Sequence, residues 1–100
     1  MITIKAKSAH TFLERLFGLL NPKNPRIMVF HTHFGIHTFF MKTPIDVILL
    51  NDTNTVVKLK SFLKPNKFFL YHPQYSTVIE MPKGAIHKYR IKINDKISIA

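Results

Sequence analysis

Residues Ile36 to Leu50 read IHTFFMKTPIDVILL, and the second half of that stretch decides the architecture. From Ile45 onward, apolar residues occupy both parities and only Asp46 breaks the run. A run this short, entered through Thr43-Pro44, fits a central β-strand covered on both faces rather than a helix. Its carboxylate must be answered, because a charge taken out of water costs several kcal/mol unless it is paired or hydrogen-bonded. Asp46 can accept backbone N–H groups from the Lys42-Thr43-Pro44 loop or pair with Lys42 or Arg90. A loop-locking acid is the simpler reading, and a ligand-facing or catalytic carboxylate is the alternative.

Working outward, VIEMPKG at Val78 to Gly84 repeats the theme, with Glu80 inside an apolar run that ends in a Pro82-Lys-Gly84 turn. Asn51-Asp-Thr-Asn54 carries the side-chain-to-backbone chemistry of a tight turn, making Ile45 to Phe62 a hairpin. Lys58 and Lys60 alternate with Val57 and Leu59, and Lys88, Arg90 and Lys92 alternate with Tyr89, Ile91 and Ile93. That period predicts strands with a wet, cationic face. Ile27 to Phe30, Ile36 to Met41, Phe68 to Tyr71, Thr77 to Met81, Tyr89 to Ile93 and Ile97 to Ile99 complete the expected strands. Upstream, Thr11-Phe-Leu-Glu14 has the form of a capping box, so a short helix is expected to stop at Gly18. Asn21-Pro22 to Asn24-Pro25 reads as loop. The expectation is a mainly β fold, a small barrel or sandwich of short, mostly antiparallel strands, with one short N-terminal helix.

Composition sets the outer bounds. One hundred residues make a single domain, 1–100, and 46% apolar residues are enough for a real core. With no cysteine, disulfide and thiol chemistry are excluded. Glu14 and Arg15 interrupt FLERLFGLL, and no run of 18 apolar residues exists, so neither a signal peptide nor a membrane span is expected. A soluble, cytoplasmic protein is the default expectation. The formal charge of +10 invites a polyanion partner. Abundant Lys, Ile and Asn alongside scarce Ala and Gly point instead to compositional bias, and the alternation of cations points to solvated strand faces.

Taken in order, ERLFGLL, IHTFFMKTPIDVILL, VVKL, the Leu63-Lys-Pro65 step, VIEMPKG and the Asn94-Asp95 turn resemble the small proteins of domain-of-unknown-function family 192, also called uncharacterised protein family 0127. The resemblance covers nearly the whole chain. It implies a compact, mainly β domain of barrel or sandwich type and carries no activity with it. Three departures stand out. Asn94 replaces the frequent Gly before the Asp of the last turn, a position whose left-handed backbone Asn tolerates. Many members carry a secretion signal, and none is expected here. A His-rich run, HTHFGIH, precedes the His-Thr element.

Within that run, His31 and His33 on a strand would point to one face, an arrangement used by metal sites on β scaffolds. Pro82-x-Gly84-x-x-His87 resembles the second motif of the cupins, whose first motif contains His-x-His. That nominates His31, His33 and His87 as metal ligands. The acid expected after His33 and the Gly-led opening of the first motif are both missing, and solvent-facing histidines are the simpler reading. Phe62, Phe68, Phe69, Tyr71 and Tyr75 interleave with Lys60, Lys64 and Lys67, which suits either a stacking platform for single-stranded nucleic acid or, more simply, strand core and loop.

The function expected from the sequence is a non-enzymatic binding or docking module without a cofactor. Its candidate surface surrounds His37, Thr38, Met41, Lys42, Asp46 and Glu80, and its partner is a protein or small ligand. The alternatives are a metal-dependent cupin-like enzyme and a nucleic-acid or anionic-surface binder. Either a monomer or an edge-strand dimer is compatible with these strands.

Overall fold

The protein is described by a computed structural model covering residues 2–4, 7–8, 27–31, 35–38 and 43–99. Nine strands and one helix occur among these residues. They are β1 (Ile2–Ile4), β2 (Lys7–Ser8), β3 (Met28–His31), β4 (Gly35–His37), β5 (Ile45–Leu50), β6 (Val56–Leu63), β7 (Phe68–Leu70), β8 (Thr77–Pro82), α1 (Ala85–Lys88) and β9 (Ile97–Ile99). The mainly β expectation holds. The expected helix over Thr11 to Gly18 and the loop to Pro25 lie outside the described residues.

Five strands form the main sheet in the order β2-β3-β8-β5-β6, and β1-β9 and β4-β7 form two-stranded sheets. Among the described residues none of the three sheets closes into a barrel. Pairing is mostly antiparallel, as expected; the parallel pairs are β1 with β9 and β2 with β3.

β5 is buried along all six residues because both faces of the main sheet are covered. On one face Ile48, Leu50, Ile79 and Met81 pack with Ile4, Ile97 and the helix residues Ala85 and Ile86. On the other, Ile45, Val47, Leu49 and Val78 pack with Ile36 of β4 and Phe69 of β7. The five aliphatic side chains of β5 contribute about 8–15 kcal/mol gross, at about 1.5–3 kcal/mol each. That exceeds the several kcal/mol of desolvation owed by one carboxylate, provided its oxygens are bonded.

The β5–β6 hairpin turns as read. Asn51 Oδ1 accepts the N–H groups of Thr53 and Thr55 and the Thr53 hydroxyl, and Asn54 takes φ 58°. Asn94 likewise sits at φ 75°, the left-handed conformation expected of it, and donates its N–H to Val56 O at 2.8 Å.

Two strand readings need correction. Tyr89 to Ile93 is not a strand: Ala85–Lys88 forms a helical turn, Tyr89 caps it and Arg90 turns at φ 56°. The alternating cations there misled because Ile91 is buried under the main sheet while Ile93 remains exposed, so the segment loops rather than pleats. Phe68-Phe-Leu70, expected as a buried run, has only Phe69 inside; Phe68 and Leu70 are 62% and 63% exposed. A two-stranded sheet laid on the core can bury only one parity.

Candidate functional site

Asp46 is fully buried, and both of its oxygens are engaged. Oδ1 accepts the Phe62 N–H at 3.0 Å and Oδ2 accepts the Ile86 N–H at 2.9 Å. Each donor has a local cause. Ile45 pairs with Leu63 but Val47 with Lys60, so β6 holds an extra residue there, and Phe62 at φ 54° turns its N–H out of the ladder. At α1, Gly84 occupies the N-cap without any side-chain cap, which leaves the Ile86 N–H among the first-turn donors that need an outside acceptor. Asp46 therefore caps from the neighbouring strand the helix that Gly84 cannot cap. The acid takes backbone N–H groups, as its structural reading required, and the donors among the described residues are Phe62 and Ile86. Arg90 is exposed and Lys42 lies outside the described residues.

Glu80 is also fully buried. It stands opposite Val47 on β5 and Met28 on β3, whereas Asp46 stands opposite Met81. Direct cross-strand partners share a face, so the two carboxylates occupy opposite faces of the sheet.

Thr38 is the third buried polar side chain among the described residues. Its hydroxyl donates to Lys64 O at 2.6 Å and accepts the Lys67 N–H at 2.8 Å. Its backbone N–H donates to Lys67 O at 2.9 Å, and its carbonyl accepts the Asn66 N–H at 3.1 Å. One threonine thus fixes both ends of the Lys64–Lys67 loop. In β4, His37 lies across from Phe68. Met41 and His33 fall outside the described residues.

His31 and His87 are exposed. His31 pairs with Thr77, at one end of β8, and α1 with His87 follows the other end, beyond Pro82. At about 3.3 Å per residue, the length of β8 separates the two by roughly 16 Å along the strand. No cluster of three His, Asp or Glu side chains suited to a metal ion occurs among the described residues. Among the aromatic residues, Phe62 and Phe68 are exposed, Phe69 is core, and Tyr71 and Tyr75 are half-buried. Lys58 crosses the Phe69 ring at 4.8 Å from its centroid and donates to Leu70 O at 2.7 Å, tying β7 to the edge strand.

One end of the main sheet gathers the features above. Ile45 pairs with both Leu63 and Pro82, so Phe62, the start of β5 and α1 lie together there. A cavity of about 300 Å³ opens at this end, lined by Ile27, Pro82, Ala85 and Tyr89 together with Lys83 and Lys88. None of these residues was read as a binding residue from the sequence. The PxG turn was visible, but the helical turn that carries Tyr89 back against it was not.

The family model of domain-of-unknown-function family 192, described as uncharacterized ACR, matches residues 1–99. The chain belongs to this family. The family resemblance read from the sequence is therefore borne out. The UPF0127 protein of Pyrococcus abyssi is 34% identical, over 93% of this chain and 84% of its own length. That of Thermococcus kodakarensis is 37% identical, over 94% of this chain and 64% of its own. Among solved structures, a protein of unknown function from Novosphingobium aromaticivorans superposes with TM-score 0.71 at 19% identity, covering 91% of this chain and 71% of its own. A proposed transcription regulator from Sinorhizobium meliloti superposes with TM-score 0.72 at 14% identity, covering 91% and 78%. At these identities the family 192 chain shares their fold alone.

Proposed function

We propose that this family 192 domain is a non-enzymatic binding module that receives its partner at the Pro82 end of the main sheet. The observation that carries the reading is the use made of Asp46, the acid nearest that end. Both of its oxygens hold backbone N–H groups, and Glu80 sits across the sheet from it, so the two acids form no general acid–base pair. What that end offers instead is a cavity, with an exposed Phe62 tied to α1 through Asp46. Of the surface suggested by the sequence, Thr38, Asp46 and Glu80 are buried and act as internal supports. The covering of both faces of the main sheet favours a layered sandwich over a barrel, and a cytoplasmic protein remains our reading of its location.

A fragment screen against ¹⁵N-labelled protein tests this. Saturable shifts gathered at Ile27, Phe62 and Lys83–Tyr89 are expected. Hits scattered over the surface, or concentrated on the Asn51–Asn54 turn at the opposite end, would overturn it. Elemental analysis of untagged protein tests the metal reading separately: stoichiometric metal that vanishes in His33→Ala would replace a binding module with a metal enzyme using His31, His33 and His87.

A further inference from the structure

We infer that the cavity between β8 and α1 takes a small monocarboxylate with an apolar body, its carboxylate held by Lys83 and Lys88. This rests on the binding reading above and names the ligand class. A volume of about 300 Å³ lies at the small end of the range of ligand sites, which suits a compact molecule. Ile27, Pro82, Ala85 and Tyr89 supply apolar walls, which favour an apolar body.

The charge around the cavity is segregated. Of the acids among the described residues, Asp52 and Asp95 lie at the far end of the sheet, beside the Leu50–Val56 turn. Glu80 is buried on the opposite face, and Asp46, buried below α1, has both oxygens bonded to N–H groups. Among the described residues two lysines and no acid line the cavity, and the Lys88 ammonium lies 5.7 Å from the centroid of the Tyr89 ring. That position keeps the cation beside the apolar wall, where an incoming carboxylate meets charge and aromatic surface together. A phosphate ester fits less well. Its higher charge favours bidentate guanidinium forks, and the cations that line the cavity among the described residues are lysines.

Titration of ¹⁵N-labelled protein with phenylacetate, neutral phenylacetamide and inorganic phosphate tests the assignment. Phenylacetate is expected to saturate with shifts confined to Ile27 and Lys83–Tyr89, and phenylacetamide to bind about tenfold more weakly, the worth of one charge-assisted contact. The K83Q/K88Q double variant, altered only at exposed positions, should erase that difference while its remaining spectrum stays in place. Equal affinity for acid and amide overturns the carboxylate assignment, as does displacement of phenylacetate by phosphate. Absence of shifts with both aromatic probes also overturns it, while fragment hits at the same end would leave the broader binding reading standing.

Discussion

Asp46 and Glu80 stand one register step apart on neighbouring strands and look in opposite directions: Asp46 faces Met81 and the helix side, Glu80 faces Val47 and the β4–β7 side. Side chains alternate along a strand, so no local adjustment brings the two together. A general acid–base mechanism shared between them is excluded by this pairing, and each acid has to be understood by its own surroundings.

For Asp46, removal of the carboxylate leaves the part-buried N–H of Phe62 and the buried N–H of Ile86 without their acceptor. At about 1–3 kcal/mol for each unsatisfied group, Asp46→Ala is expected to lower stability by about 2–6 kcal/mol. Asp46→Asn keeps one acceptor and turns an amide N–H₂ toward the other donor, so it should lose about 1–3 kcal/mol. Urea unfolding measures both. An unchanged midpoint for either would show that the carboxylate does not brace this junction.

Thr38 makes a parallel prediction for the Lys64–Lys67 loop. Thr38→Val preserves shape but strips the hydroxyl from Lys64 O and the Lys67 N–H, and a loss of about 1–3 kcal/mol is expected. Thr38→Ser keeps the hydroxyl and should lose only about 0.8 kcal/mol for the methyl group. Amide exchange at Lys67 separates the two: it accelerates in the valine variant and holds in the serine variant.

How much of this was legible in the sequence depends on range. The buried central strand showed itself because IDVILL is apolar on both parities, and the turns at Asn51 and Asn94 because their side-chain chemistry is local. The Asp46 site was half legible. An acid inside that run had to accept hydrogen bonds, but its donors lie 16 and 40 residues away in the chain. No spacing rule reaches that far. Ala85–Lys88 escaped because a single helical turn held by a carboxylate from another strand carries no periodicity of its own. β1 escaped because its partner, β9, is at the other end of the sequence.

At Gly35 the constraint is contact. A Cβ there would stand 2.6 Å from Phe69 O and 2.9 Å from a Leu70 methyl, at φ 154°. Gly35→Ala should push β4 away from β7 and lower stability by about 1–3 kcal/mol, as overpacking does. Exposure of Phe69, read by intrinsic fluorescence quenching of the neighbouring Tyr71, should rise with it. A variant as stable as the parent would mean that the two strands separate freely.

The edge strand β6 carries Lys58 and Lys60 on its exposed positions. Cations on an edge oppose pairing with another chain. The double substitution Lys58→Ile and Lys60→Ile is expected to produce concentration-dependent oligomers by sedimentation, and Lys58→Ile alone to loosen β7 by removing its bond to Leu70 O. A double variant that stays monomeric would place the protection in the bulges of β6 instead.

The parallel pairing of Ile2–Ile4 with Ile97–Ile99 sets a timetable as well as a shape. During synthesis at about 5–20 residues per second, the first strand emerges on the order of 5–20 seconds before the strand that covers it. For that interval the isoleucines of β1 have no sheet to join, and one face of β5 and β8 waits without part of its lid. The nascent chain therefore presents sticky surface to the cell at both of these places until Ile97–Ile99 leave the ribosome and end that exposure.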